Sequence, residues 1–439
     1  MLAAILRRVV PVREGEAAPM LLATAYGFCI LFAYYILRPV RDEISAADRG
    51  NLQVLWTAVF LVMLLAVPLY SAAVARLSRA VFVPLANRFF AANLVAFFAA
   101  LTLLPESARP WIDRVFYVWT SVFALFVVTV FWGFVADLFR SEQGERLFGF
   151  IAVGSSLGGI AGAAATATLA PHAPVFLLLL LAVLPLEAAA WLARSLDRRA
   201  SRAPDTLNRE PEARVGGSAW SGIVPVFRSP LLRRIALWIA LMTFASTVLY
   251  FVQAHLLGEA IADRALRREF LARVDLAVNA ITIVTQALLT ARIVRRIGIG
   301  LTLAALPAVA AVGFVALGAW PLLAVLVAVR VLYDSSRHAL AKPAREVLFT
   351  LVGREQRYKS KAFIDAAVYR GGDLVSGWIY AGLAAIGLSV GAIALVAAPV
   401  ACVWAAVALQ LGRARPRGAQ AAPPVSGTNA TGRTAREDT

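Results

Sequence analysis

The sequence predicts an all-α membrane protein of twelve transmembrane helices, arranged as two related six-helix bundles. Three observations predict it. The 439 residues are 60% hydrophobic, with a mean hydropathy of +0.74, and apolar runs of about 18 or more residues recur, each able to cross a hydrocarbon core of about 30 Å as a helix. One long polar stretch divides the chain almost evenly. The two halves then share short motifs at matching places.

The spans follow in order. The first, Met20–Leu37, ends in YYILRPVRDE, where Pro39 disturbs the helix. No cleavage site follows, so this span is expected to be retained, and no transit peptide is evident. Leu52–Ala75 and Val81–Leu104 flank the charged turn VARLSRA, and Val115–Leu138 precedes the loop FRSEQGER. Gly149–Leu169 and Pro174–Ala193 complete the first bundle. The second comprises Ile235–Leu257, Leu271–Ala291, Ile299–Gly318, Leu322–Leu340, Lys361–Ile386 and Leu388–Leu411. The expected units are thus a cytoplasmic segment 1–19, bundles 20–193 and 233–411, a cytoplasmic linker 194–232 and a disordered tail 412–439. The linker, RSLDRRASRAPDTLNREPEARVGGSAW, is rich in Arg, Pro and Gly and is expected to hold little fixed structure.

Charge orients the chain. With twelve spans both termini share a side. Of 43 Lys and Arg residues, 30 fall on that side, counting Lys361 with the loop it borders, and 8 on the other. The positive-inside rule places both termini in the cytoplasm, and the spans are expected in the inner membrane. The net charge of +17 is therefore a topology signal, and nucleic-acid binding is the weaker reading. Cys29 and Cys402 lie in apolar runs and read as core residues. Three scattered histidines give no ligand spacing, and neither a metal nor a cofactor is expected.

The halves align without gaps at an offset of 213, EQGERLFGFIAVGSSLGG over EQRYKSKAFIDAAVYRGG, with Glu142/Glu355, Gly158/Gly371 and Gly159/Gly372 among the identities. At an offset of 216, TARIVRR lies over VARLSRA. Six plus six spans in parallel repeats, joined by a cytoplasmic linker, form the layout of the major facilitator type, whose site lies between the halves near mid-membrane.

Ionised side chains inside spans cost about 2.5–3.5 kcal/mol each at a helix centre, so they are expected to face protein or a wet cavity. At about 100° per residue, Arg330, Asp334 and Arg337 share one face of the tenth span, with Tyr333 beside them. Asp275, Asn279, Thr282 and Gln286 form a polar seam along the eighth, read equally well as interhelical hydrogen bonding. In the eleventh, Lys361, Asp365 and Tyr369 share a face, while Arg370 and Asp373 are placed to pair. Tyr34, Arg38 and Arg41 form a stripe at the end of the first span, with Asp42 near it, which also suits an interfacial anchor. Each stripe has a bland alternative, in which opposite charges simply pair between helices or long side chains snorkel. Together they fit a water-filled path with an arginine surplus, for an anionic or zwitterionic small molecule. No nucleophile–base spacing or zinc signature occurs. GREQRYKS fails as a phosphate loop, because Tyr358 stands where glycine is needed and no strand precedes it. An enzyme is not expected.

Three stretches, FCILFAYYILRPVRDE, VFWGFVADLFRSEQGERLFGF and KPAREVLFTLVGREQRYKSKAFIDA, resemble the nucleotide transporter family, the ATP:ADP antiporters of plastids and intracellular bacteria. The resemblance implies exchange of nucleoside triphosphate for diphosphate (ATP and ADP), with basic residues of both halves on the phosphates. By motif it points to Arg38 and Arg41, to Glu142 and Arg146 in the fourth loop, and to Lys359, Lys361 and Asp365, beside Glu355. The first motif departs from the family pattern in its proline and in having arginine for lysine, which is not a neutral exchange at a phosphate site. The expected protein is a monomeric antiporter. The alternatives are a proton-coupled carrier of another organic anion or drug, and a non-transporting membrane scaffold or sensor.

Overall fold

The computed structural model describes residues 13, 15–139, 141–202, 223–352, 360–361 and 363–413. Twelve long helical rods run through it. In the first half these are α1 (Ala17–Ala47), α2 (Leu52–Arg76), α3 (Arg79–Leu103), α4 (Arg109–Leu138), α5 (Ser141–Leu169) and α6 (Val175–Arg202). In the second they are α7 (Pro230–Ala260), α8 (Arg264–Thr285, continued by a π turn over Gln286–Thr290), α9 (Ala291–Ala319) and α10 (Leu323–Ser336). α10 continues through a π turn over Arg337–Ala341 into Lys342–Thr350. α11 takes a π turn over Ile364–Val368 into Tyr369–Ala385, and α12 is Val390–Gly412.

Local chemistry sets several ends. Ser229, Asp263 and Ser389 cap α7, α8 and α12 by accepting backbone N–H bonds from Leu232, Leu266 and Ala392. Gly298, at φ 78°, breaks the helical path within α9, two turns after its start. Ten helices among the described residues are long and apolar enough to cross a membrane. α10 and α11 are the exceptions, because they carry the charges: Arg330, Asp334 and Arg337 in one, Arg370 and Asp373 in the other. Leu65, Leu69 and Val312 stand at least 70% exposed on outer faces. Apolar side chains turned outward in this number suit contact with lipid rather than water.

The packing repeats. α1 lies against α4, α5 and α6, as α7 lies against α10, α11 and α12. α2 packs on α4 and α3 on α6, matched by α8 on α10 and α9 on α12. Across the middle, α2 meets α11 and α5 meets α8, and these two contacts exchange under the same six-helix shift. The tightest seam is α1 on α5, where Gly154, Gly158 and Gly162 form one small-residue stripe. A Cβ at Gly162 would stand 2.5 Å from the Phe32 carbonyl oxygen, and one at Gly158 would strike that of Phe28. Such backbone approach is how helices associate where apolar burial gives no drive. Gly158→Val is expected to abolish the folded protein, read as loss of the monodisperse peak in detergent, whereas Gly133→Val, which meets nothing, leaves it intact.

Three sequence expectations change. α1 does not stop near Leu37 but runs to Ala47, because Pro39 removes one hydrogen bond while the charges beyond it find partners inside the protein. α6 continues past Ala193 to Arg202, held by buried Leu196 and Ala200 and by Asp197 on Arg79 at 3.0 Å, so the stretch 194–202 is ordered helix rather than loose linker. The aligned glycines of α5 and α11 match only in part. A Cβ at Gly159 would stand 3.0 Å from Tyr35 of α1 and one at Gly372 3.1 Å from Thr243 of α7, but Gly158 packs on the α1 backbone while a Cβ at Gly371 would meet nothing within 4 Å. The π turn over Ile364–Val368 lies just before them.

Candidate functional site

A cavity of about 520 Å³ lies between the two halves, lined from α1, α2, α4 and α5 on one side and α7, α8, α10 and α11 on the other. Among the described residues six basic side chains reach it: Arg38 and Arg41 from α1, Arg330, Arg337 and Lys342 from α10, and Arg370 from α11. Asp42 and Asp373 face it too. Asp275 and Asp334 stand directly behind, ion-paired to lining arginines. Six cations against four carboxylates leave a surplus of two positive charges, with His338 beside them. In a partly desolvated volume this favours an anion strongly.

The cations differ in how far they are engaged. Asp334 holds Arg330 at 2.9 Å and Arg337 at 3.4 Å from beneath. Arg38 is 3.2 Å from Asp275 of α8, a bond that crosses the halves, and 3.7 Å from Asp42. Arg370 is 3.5 Å from Asp373, at the long limit of a hydrogen bond. Lys342 has no ion pair among the described residues. Arg41 Nε, Asn279 Nδ2 and Thr282 Oγ1, all on lining residues, are buried without a hydrogen-bond partner there. Buried polar atoms of this kind call for a ligand or water.

Toward the C-terminal end of α1 the cavity is shut. Trp56 Nε1 donates to Tyr117 Oη at 2.7 Å, that hydroxyl donates to Tyr250 Oη at 3.2 Å, and Tyr250 donates to Asp42 at 3.0 Å. The Arg41 guanidinium lies against the Tyr117 and Tyr250 rings, 5.0 and 5.6 Å from their centroids. One layer further out, Arg264 of α8 binds Glu43 of α1 at 2.7 and 3.0 Å and Asp113 of α4 at 2.7 Å. These bonds tie the halves together at that end. In the other direction the lining descends to Gln286, Lys342 and Trp132, on the side of the termini.

The sequence candidates divide accordingly. Arg38, Arg41, Arg330, Arg337, Arg370, Asp373, Asn279, Thr282 and Gln286 line one volume, with Asp275 and Asp334 behind it. The stripe at the end of α1 is internal, so it is no interfacial anchor. Lys361 does not reach the cavity. It stands eight residues before Tyr369 on α11, about 12 Å along the helix, and its Nζ is 2.6 Å from Glu346. Arg146 is occupied at the edge of the first bundle, at 3.1 and 2.9 Å from the two oxygens of Glu16. Glu355 and Lys359 lie outside the described residues. Glu142 and Asp365 are placed by backbone alone, in the first turn of α5 and in the π turn of α11.

Glu16 gives a pH prediction. Burial alone would raise its carboxyl, but hydrogen bonds from Arg146, the Arg13 backbone N–H and Gln143 outweigh it and lower the pKa from 4.5 to about 2. A depressed carboxyl contributes stability that is full above its unfolded pKa and lost as pH falls from about 4.5 toward 2. Thermal unfolding followed from about pH 6 to 3 is expected to show this acid loss, and Glu16→Gln to flatten it.

Sequence reasoning missed Lys342, His338 and the aromatic wall. On a straight helix Lys342 falls about 120° from Arg330. The π turn over Arg337–Ala341 takes up one residue and brings it to within about 20°. Trp56, Phe60 and Trp132 carry no signal, since aromatics in an apolar span look like core.

No protein-family model matches the sequence, and no curated protein matches it. Solved structures do. The nucleoside transporter NupG aligns with a TM-score of 0.63 at 10% identity over 90% of this chain and 100% of its own. The POT family transporter PepTSo aligns with 0.64 at 12% identity, over 90% of this chain and 98% of its own. An auto-inhibited POT family peptide transporter gives 0.60 at 14%, over 91% and 97%. The chain has the major facilitator-like fold: a multi-pass, all-α membrane protein of two pseudo-symmetric six-helix bundles around a polar cavity.

Proposed function

We propose that the chain is a secondary transporter that exchanges nucleotides, ATP for ADP, or a similar organic polyanion by alternating access. The observation that carries this reading is the cavity between the halves, with six basic side chains on it and a net positive surplus. The printed descriptions of the structural neighbours, transporters of nucleosides and peptides, support a carrier. The sequence stretches that resemble ATP:ADP antiporters support the nucleotide.

In this reading the bonds at the Glu43–Arg264 end hold a state open toward the termini, which the positive-inside rule makes the cytoplasm. The polyanion enters, takes over Lys342, Arg337 and Arg370, and draws the halves together so that the far end opens. An empty cavity leaves its cations imperfectly compensated and is slow to reorient, which couples inward to outward movement. The protein acts as a monomer in the inner membrane. Uptake of labelled ATP into proteoliposomes is expected only with ADP inside. Uptake indifferent to internal nucleotide removes the exchange, and no uptake removes the substrate.

One observation favours a second reading, a proton-coupled carrier of another organic anion. Asp373 faces the cavity on a 3.5 Å bond to Arg370, long enough for a proton to compete. Uptake driven by a pH gradient without counter-substrate would select it.

A further inference from the structure

Apart from Arg38, Arg41 and Asp42 of α1, the charges on the cavity come from one side of it. Among the described residues, no charged side chain of α2, α4 or α5 lines it. From those helices come Phe60, Ala124, Val128 and Trp132, with Ser155 and Ser156 beside them. Ala124, Val128 and Trp132 follow at i, i+4 and i+8, one face of α4. Phe131 and Phe148 meet the Trp132 ring edge-on at 5.0 and 6.0 Å, so the ring is braced while remaining on the cavity lining. The opposite wall, from α10 and α11, holds Arg330, Arg337, His338, Lys342 and Arg370. A volume of about 520 Å³ lies within the range of small-molecule sites, about 300–1,000 Å³.

We infer that the site is bipartite: the α10–α11 wall takes the phosphate-like charge, and Trp132 takes a flat aromatic ring on the same molecule. The substrate class is then an aryl-bearing polyanion, and bare inorganic polyanions are poor ligands. This rests on the polyanion site proposed above and deepens it. A ring laid on an indole face gains stacking without requiring a particular hydrogen-bond pattern, so the wall selects for the presence of a ring more than for its identity.

Binding to the purified full chain is measured by titration calorimetry with two probes, ADP and inorganic pyrophosphate. ADP is expected to bind at least about tenfold more tightly. Trp132→Ala should erase that advantage and leave pyrophosphate affinity unchanged, while Trp132→Phe should keep most of it. Lys342→Gln should weaken both probes alike. Equal affinities for ADP and pyrophosphate in the wild type, or equal losses on both probes in Trp132→Ala, overturn the inference while leaving a polyanion site standing. Binding of neither probe overturns both.

Discussion

Replacing Glu43 by glutamine is expected to destabilise the protein by about 3–5 kcal/mol, the usual cost of removing one partner from a buried ion pair. Glu43 is only 1% exposed and is flanked by Phe97, Phe116 and Leu179. Three arginines of α8 gather on it: Arg264 bidentate, Arg268 at 3.7 Å and Arg267 at 4.0 Å. With a neutral side chain there, Arg268, whose Nε already lacks a partner, stays buried with no ion pair among the described residues. Arg264 would keep Asp113 and Arg267 its bonds to the Ile261 and Gly258 carbonyls, so the loss concentrates on Arg268. Two controls follow. Asp113→Asn should cost less, since Arg264 retains Glu43. Adding Arg268→Gln to Glu43→Gln should restore part of the stability, the signature of a coupled pair. Thermal denaturation of the wild type, these three variants and Arg268→Gln alone checks this. Additive losses in the double variant would show that Glu43 and Arg268 do not interact.

Asp334→Asn is expected to have a comparable cost in the empty protein and a different response to ligand. Asp334 is buried beneath Arg330 and Arg337 and cancels part of their charge. Asparagine leaves two arginines facing the cavity with less to hold them, at about 3–5 kcal/mol. A bound polyanion supplies the missing charge, so ATP should raise the unfolding temperature of the variant more than that of the wild type. Transport should nevertheless fall, because release now means exposing uncompensated cations. A variant destabilised to the same degree but with an unchanged ATP-induced shift would mean that the α10 charges only brace helices.

Much of the fold was legible because bilayer thickness dictates run length and because a repeated motif implies repeated packing. α1 on α5 recurs as α7 on α11. The site was legible in part. Arg330, Asp334 and Arg337 could be grouped by phase, since they lie at or before the start of the π turn in α10. Beyond it the arithmetic of a straight helix fails, and Lys342 went unnoticed for that reason. Charge alone did not say which residue meets which. Arg146 and Lys361 look like their neighbours in the motifs, yet their partners are Glu16 and Glu346, distant in sequence or set on another helix. Nor does an apolar run distinguish Trp132 on a cavity wall from Trp238 in the core. That difference is made by which helices surround each one.

All of this depends on cations of the second bundle gripping a polyanion in the central volume. Equilibrium binding of labelled ATP to purified wild type and to the folded Arg337→Gln/Lys342→Gln double variant tests it most directly. The expected result is saturable binding that weakens with salt in the wild type and is reduced at least about a hundredfold in the variant, about 1.4 kcal/mol per lost contact. Undiminished affinity in the variant would contradict the account.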